Sequence, residues 1–144
     1  MSTNAKSLKY LEDIKINVKI KLSALWVTLM LFYIYADILG FYSPGVIEKV
    51  VSGEIGGMQI TVIFLFSMAV RMAIPSVMVF LSLALKAKAN RVINIIVGLV
   101  SFIALVATFF VGELSVRYIF QAAIEGVLMV WIVWNAWKWP KQDV

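Results

Sequence analysis

The chain contains no cysteine and no histidine. The first absence removes disulfides, thiolate metal sites, iron–sulfur clusters and cysteine nucleophiles. The second removes the commonest metal ligand and the side chain that most readily shuttles protons near neutrality. Histidine-ligated haem and classical zinc catalysis are therefore excluded, and no metal or other cofactor is expected. Charge is scarce as well, at 15% of residues against 62% hydrophobic, with a mean hydropathy of +0.95. A chain of 144 residues cannot hide so much apolar surface inside a water-soluble globule, so lipid must cover the remainder. Proline is rare, three in all, which makes the one inside a long apolar run conspicuous.

Four stretches are long enough to cross a hydrocarbon core of ~30 Å, which takes ~20 helical residues. They run from about Leu22 to Phe41, Ile60 to Leu85, Val92 to Val111 and Tyr118 to Trp137. Backbone polar groups in lipid must be satisfied within their own segment, so these runs read as helices. The expected fold is all-α: four transmembrane helices in an up-down bundle. Three parts are expected: a basic amphipathic cytoplasmic arm over 1–21, one transmembrane domain over 22–139 and a short cytoplasmic tail over 140–144. In the arm, Leu8, Leu11, Ile14, Val18 and Leu22 share a helical face, while Ile14, Ile16, Val18, Ile20 and Leu22 also alternate as a strand would. A surface helix leading into the first span is the favoured reading, with lysines suited to an anionic leaflet and no cleavable leader. Between the first two spans, Ser43 as N-cap, Pro44 at the first helical position and Gly53 as a stop punctuate a short outer helix. Gly56 and Gly57 then permit a sharp bend into the second span.

Lysine and arginine positions set the orientation. Lys6, Lys9, Lys15, Lys19, Lys21, Lys86, Lys88, Arg91, Lys138 and Lys141 all fall on one side of this arrangement. The other side has Lys49 and the marginal Arg117, offset by Glu48, Glu54 and Glu113. The positive-inside rule therefore places both termini in the cytoplasm of a multi-pass inner-membrane protein. Topology accounts for the net charge of +5, and no nucleic-acid partner is called for. Trp134, Trp137 and Trp139 surround Lys138 at one boundary, while Phe41, Tyr42 and Tyr118 mark the other, as interfacial aromatic belts do. Trp26 and Trp131 fit either a protein-facing or a lipid-facing position.

Ionisable residues inside the spans are the candidates for function. Arg71 lies ~15 Å from the outer start of the second span, Glu125 ~10 Å into the fourth and Asp37 ~6–10 Å below the outer end of the first. Arg71 is therefore expected to pair with Glu125, Asp37 or both, with Gln121 one turn above Glu125 and Ser67 one turn above Arg71. Two acids against one arginine leave a spare carboxylate. Pro75 lacks the N–H that the Arg71 carbonyl would accept, so it is expected to kink the helix and expose a further polar group at the same depth. The bland alternative is an ion pair that fixes helix register. In the third span, Asn94, Gly98, Ser101, Thr108 and Gly112 fall on nearly one face. Such a stripe of small residues lets helices approach closely, which points to packing.

The strings KLSALW at Lys21 to Trp26, YADILG at Tyr35 to Gly40, Ala89-Asn90-Arg91 followed by Asn94-Ile95-Ile96 and Gly98, Phe110-Val111-Gly112, and the Trp134 to Trp139 tail resemble an uncharacterised bacterial family of four-helix membrane proteins. More distantly, they resemble DoxX-type proteins. The resemblance implies the same topology and brings no catalytic residues. Three functions remain open on the sequence. The first is a small transporter or channel-like protein, open toward the outer side, in which Arg71 attracts a small anionic solute or lipid and Asp37 or Glu125 handles protons or gates the site. The second is a membrane enzyme acting on a lipid or isoprenoid, with Glu125 and Asp37 as acid and base. The third is a non-catalytic accessory subunit. Four helices enclose little volume, so a homo-oligomer is expected if a path is to form.

Overall fold

The computed structural model describes residues 14–110 and 115–140. Five helices and a two-residue-per-strand hairpin follow in order: α1 Val18–Phe41, α2 Val46–Val51, β1 Glu54–Ile55, β2 Met58–Gln59, α3 Val62–Ala84, α4 Ala87–Thr108 and α5 Val116–Trp137. The four long helices are each long and apolar enough to cross a membrane. Three of them begin on a side-chain cap that satisfies an otherwise orphaned backbone N–H. Asn17 accepts from Lys19 N at 2.9 Å, Thr61 from Phe64 N at 3.1 Å and Ser115 from Tyr118 N at 3.1 Å. The all-α four-span architecture expected from composition is the one observed.

Packing is uneven around the bundle. Helix α1 lies against α3 and α5, and α4 lies against α5. Although only Leu85 and Lys86 join them, α3 and α4 meet far less. The centre of the core is formed by Leu22, Trp26 and Leu29 from α1 with Met129, Ile132 and Ala136 from α5, joined by Met78 of α3 and Leu105 of α4. Beside it, at the end carrying the α3–α4 turn, a buried polar network crosses three helices. Trp26 Nε1 donates to Asn94 Oδ1 at 2.7 Å, Ser82 Oγ donates to the same oxygen at 3.3 Å, and Asn90 Nδ2 donates to the Ser82 carbonyl. Asn94 Nδ2 donates in turn to the Asn90 carbonyl at 2.9 Å. Trp26 is fully buried, which resolves its two sequence readings in favour of protein. Trp131 is half exposed on α5.

Several boundaries differ from expectation for identifiable reasons. Helix α1 begins at Val18, and Ile14 to Asn17 are not helical, because Asn17 caps the helix and ends any continuous helical approach at that point. The rest of the amphipathic arm, residues 1–13, lies outside the described residues, as do Gly112 and the tail from 141. The short helix between the first two spans exists, but Gly45 and not Ser43 is its N-cap: Gly45 adopts a left-handed φ of 77°. Gly56 and Gly57, with φ of 57° and 80°, form the two-residue turn of the hairpin that pairs Glu54 with Gln59 and Ile55 with Met58. A Gly-Gly pair tolerates positive φ at both central positions, the requirement of the commonest tight hairpin turn. The bend thus occurs within a hairpin ahead of α3.

Candidate functional site

Three helices bring their polar residues to one place. Glu125 on α5 is buried, with 7% of its side chain exposed, and accepts from Arg71 Nη2 of α3 at 3.3 Å. The contact is longer than the ~2.7–2.9 Å usual for a charge-assisted bond and uses one donor of the five. The guanidinium carbon also stands 4.9 Å from the centroid of the Tyr33 ring on α1, a cation–π distance. Even so, 49% of the Arg71 side chain remains exposed. Glu125 is its one hydrogen-bond partner among the described residues. Tyr33, Ala36 and Asp37 of α1, Met68, Arg71 and Met72 of α3, and Glu125 line a cavity of about 60 Å³. Such a space admits a few waters or a very small ion.

The residues singled out from sequence divide around this cavity. Arg71, Glu125 and Asp37 share it; Glu125 is the acid that meets Arg71, while Asp37 makes no ion pair among the described residues. Gln121 is buried one turn toward the N-terminus of α5, where its Oε1 accepts from Arg117 Nη1 at 2.9 Å. Ser67 stands apart. Its hydroxyl donates to the Phe64 carbonyl of its own helix at 2.7 Å, the local bond that serine forms when no better acceptor is near. Pro75 is buried within a helix that continues through it from Val62 to Ala84. On α4, Asn94 is held in the polar network, and a methyl group placed on Gly98 would stand 2.7 Å from Val133 Cγ2 of α5. Ser101 is half-buried, and the Thr108 hydroxyl meets Tyr118 Oη.

Two contributors were not singled out from sequence. Tyr33 lies one turn from Asp37 on α1, so the acid's own helical period points to it. Arg117 looked like a boundary charge. Its Nη1 also donates to the Ala36 carbonyl at 3.3 Å, spanning from α5 to α1 directly outside the cavity. Its place follows from the period too: Arg117, Gln121 and Glu125 recur every four residues on α5. A row of arginine, amide and acid therefore faces Tyr33, Ala36, Asp37 and Gly40 of α1.

The arrangement presents a half-exposed cation with unused donors beside two carboxylates, one paired and one not. No curated protein and no solved structure matches the chain. A family model described as a family of unknown function (DUF6326) matches residues 9–144. Since that match spans nearly all of a chain with four membrane-length apolar helices, this small multi-pass membrane protein belongs to the DUF6326 family.

Proposed function

We propose that the protein is a small transporter or channel-like protein whose Arg71 receives a small anionic group within the membrane. The observation that carries this reading is the loose hold on Arg71: one contact of 3.3 Å to Glu125 and half of its side chain open. A purely structural ion pair in a low-dielectric setting is stabilised by short, saturated hydrogen bonds. Here the charge retains donors to offer a ligand. Asp37 lines the same cavity and supplies the second carboxylate, so anion arrival can be coupled to rearrangement of the Arg71–Glu125 contact. On this reading the path opens to the outer side beside Arg117, in line with cytoplasmic termini in an inner membrane. A cavity of about 60 Å³ is too small for most metabolites, and a wider path would form between subunits of a homo-oligomer.

The test is flux of small monovalent anions into proteoliposomes. Wild type is expected to conduct, and Arg71→Ala to lose flux about tenfold or more, the scale of removing one charge-assisted contact. Turnover of an added lipid without flux would replace this reading with the enzymatic one. Stable co-purification with a larger complex, with neither flux nor turnover, would replace it with an accessory role.

A further inference from the structure

A second feature lies on the opposite flank of α5, away from Arg71. Helices α4 and α5 form an open apolar groove of about 730 Å³, within the ~300–1,000 Å³ range of ligand sites. Phe102 and Leu105 wall it on α4, and Ala123, Gly126, Val130 and Trp134 on α5. Small residues make the hollow: a methyl group added at Gly126 would already lie 3.5 Å from the Phe102 ring. From Ile119 to Trp134 the α5 wall runs about 22 Å at 1.5 Å per residue. That exceeds the ~15 Å depth of one leaflet, half of a ~30 Å core.

Charge distinguishes the two ends of this groove. On α5, Lys138 follows Trp134 by one turn, and its Nζ stands 4.2 Å from the Trp134 ring centroid. On α4, Arg91 precedes Phe102 by three turns on the same stripe, and its guanidinium carbon lies 5.9 Å from the Trp137 ring centroid. Both cations therefore sit at the end of the groove reached through the tryptophans. Lys86 and Lys88 lie at the start of α4 on the same end of the bundle. None of the four described acids, Asp37, Glu48, Glu54 and Glu125, lies at that end.

We propose that the groove is a binding site for one anionic glycerophospholipid of the leaflet at this basic end. An acyl chain lies between Phe102 and Val130, and the phosphate sits against Lys138 and Arg91, with the tryptophans at headgroup level. Basic residues at a helix-lined cleft are the recognised chemistry for such headgroups.

Native mass spectrometry of the full chain in detergent, with phosphatidylglycerol and phosphatidylcholine of matched chains, tests the site. Wild type is expected to retain one phosphatidylglycerol in preference to phosphatidylcholine. Joint replacement Arg91→Gln and Lys138→Gln removes that preference, by about fivefold for each charge. Ala123→Trp fills the groove and abolishes retention of both lipids. Equal retention of the two lipids by wild type overturns the proposal, as does undiminished retention by Ala123→Trp. A lipid-free wild-type dimer that Ala123→Trp dissociates also overturns it, since the groove then belongs to a second copy. Where Ala123→Trp fails to fold, the double charge variant decides, and an unchanged lipid preference overturns the site.

Discussion

Arg71 reaches Glu125 with one nitrogen and lies over Tyr33, so its removal takes away both contacts. Arg71→Ala leaves Glu125 as a buried acceptor without its donor, and we expect a loss of about 1–3 kcal/mol in detergent unfolding. Adding Glu125→Gln to that variant should recover part of the loss, whereas adding Asp37→Asn should be additive within about 0.5 kcal/mol. Rescue by Asp37→Asn in place of Glu125→Gln would reassign the partner. The charged cluster was legible in the sequence because ionised groups stand out inside apolar runs and depth arithmetic places them at similar levels, but depth alone left open whether Glu125, Asp37 or both meet Arg71. Tyr33 was not, since the first span also carries Tyr35 and only the helical phase relative to Asp37 separates them. Ser67 shows the converse: period places it one turn from Arg71, yet its own helix offers a nearer acceptor.

Among the elements, α4 and α5 pack tightly at Gly98, where an added methyl group would stand 2.7 Å from Val133 Cγ2. Gly98→Ala must displace Val133, and it is expected to cost about 1–3 kcal/mol in the same unfolding measurement, as overpacking does. The partner change Val133→Ala should relieve it. Pro75 acts on a different link of the chain. Its ring leaves the Arg71 carbonyl without the i+4 N–H, so Pro75→Ala should keep the melting temperature near wild type or above it while reducing anion flux in proteoliposomes. Full flux in Pro75→Ala, or its unfolding, would make the residue a packing feature. The spans were readable because hydrophobic length in lipid leaves the backbone one option. The hairpin was missed although Gly56-Gly57 is a recognised turn signal, because two-residue strands carry no alternation long enough to register. The shift of the α2 cap to Gly45 reflects a left-handed backbone that Ser43 would adopt only at a cost.

For the whole molecule, the uneven spread of Lys and Arg predicts its orientation. Native freedom from cysteine makes single-cysteine labelling direct. Cysteines at Ser2, Lys88 and Gln142 should be protected from an impermeant thiol reagent in intact cells, while one at Ser52 should react. Labelling at Lys88→Cys without labelling at Ser52→Cys would invert the topology.

The thin contact between α3 and α4 also makes the chain divisible. Cutting at the Leu85–Lys86 turn yields two hairpins of two spans each. Each half keeps both ends on one face of the membrane, so neither must reorient. What reunites them is the α1–α5 surface, where Leu22, Trp26 and Leu29 meet Met129, Ile132 and Ala136, together with the Trp26–Asn94 bond. Co-expressed fragments Met1–Leu85 and Lys86–Val144 should therefore find one another and co-purify on a tag carried by either, as independently stable membrane helices associate after insertion. Trp26→Phe, which withdraws the donor to Asn94, should weaken that recovery severalfold. The intact chain would show a milder effect, because its covalent turn keeps the halves at high effective concentration.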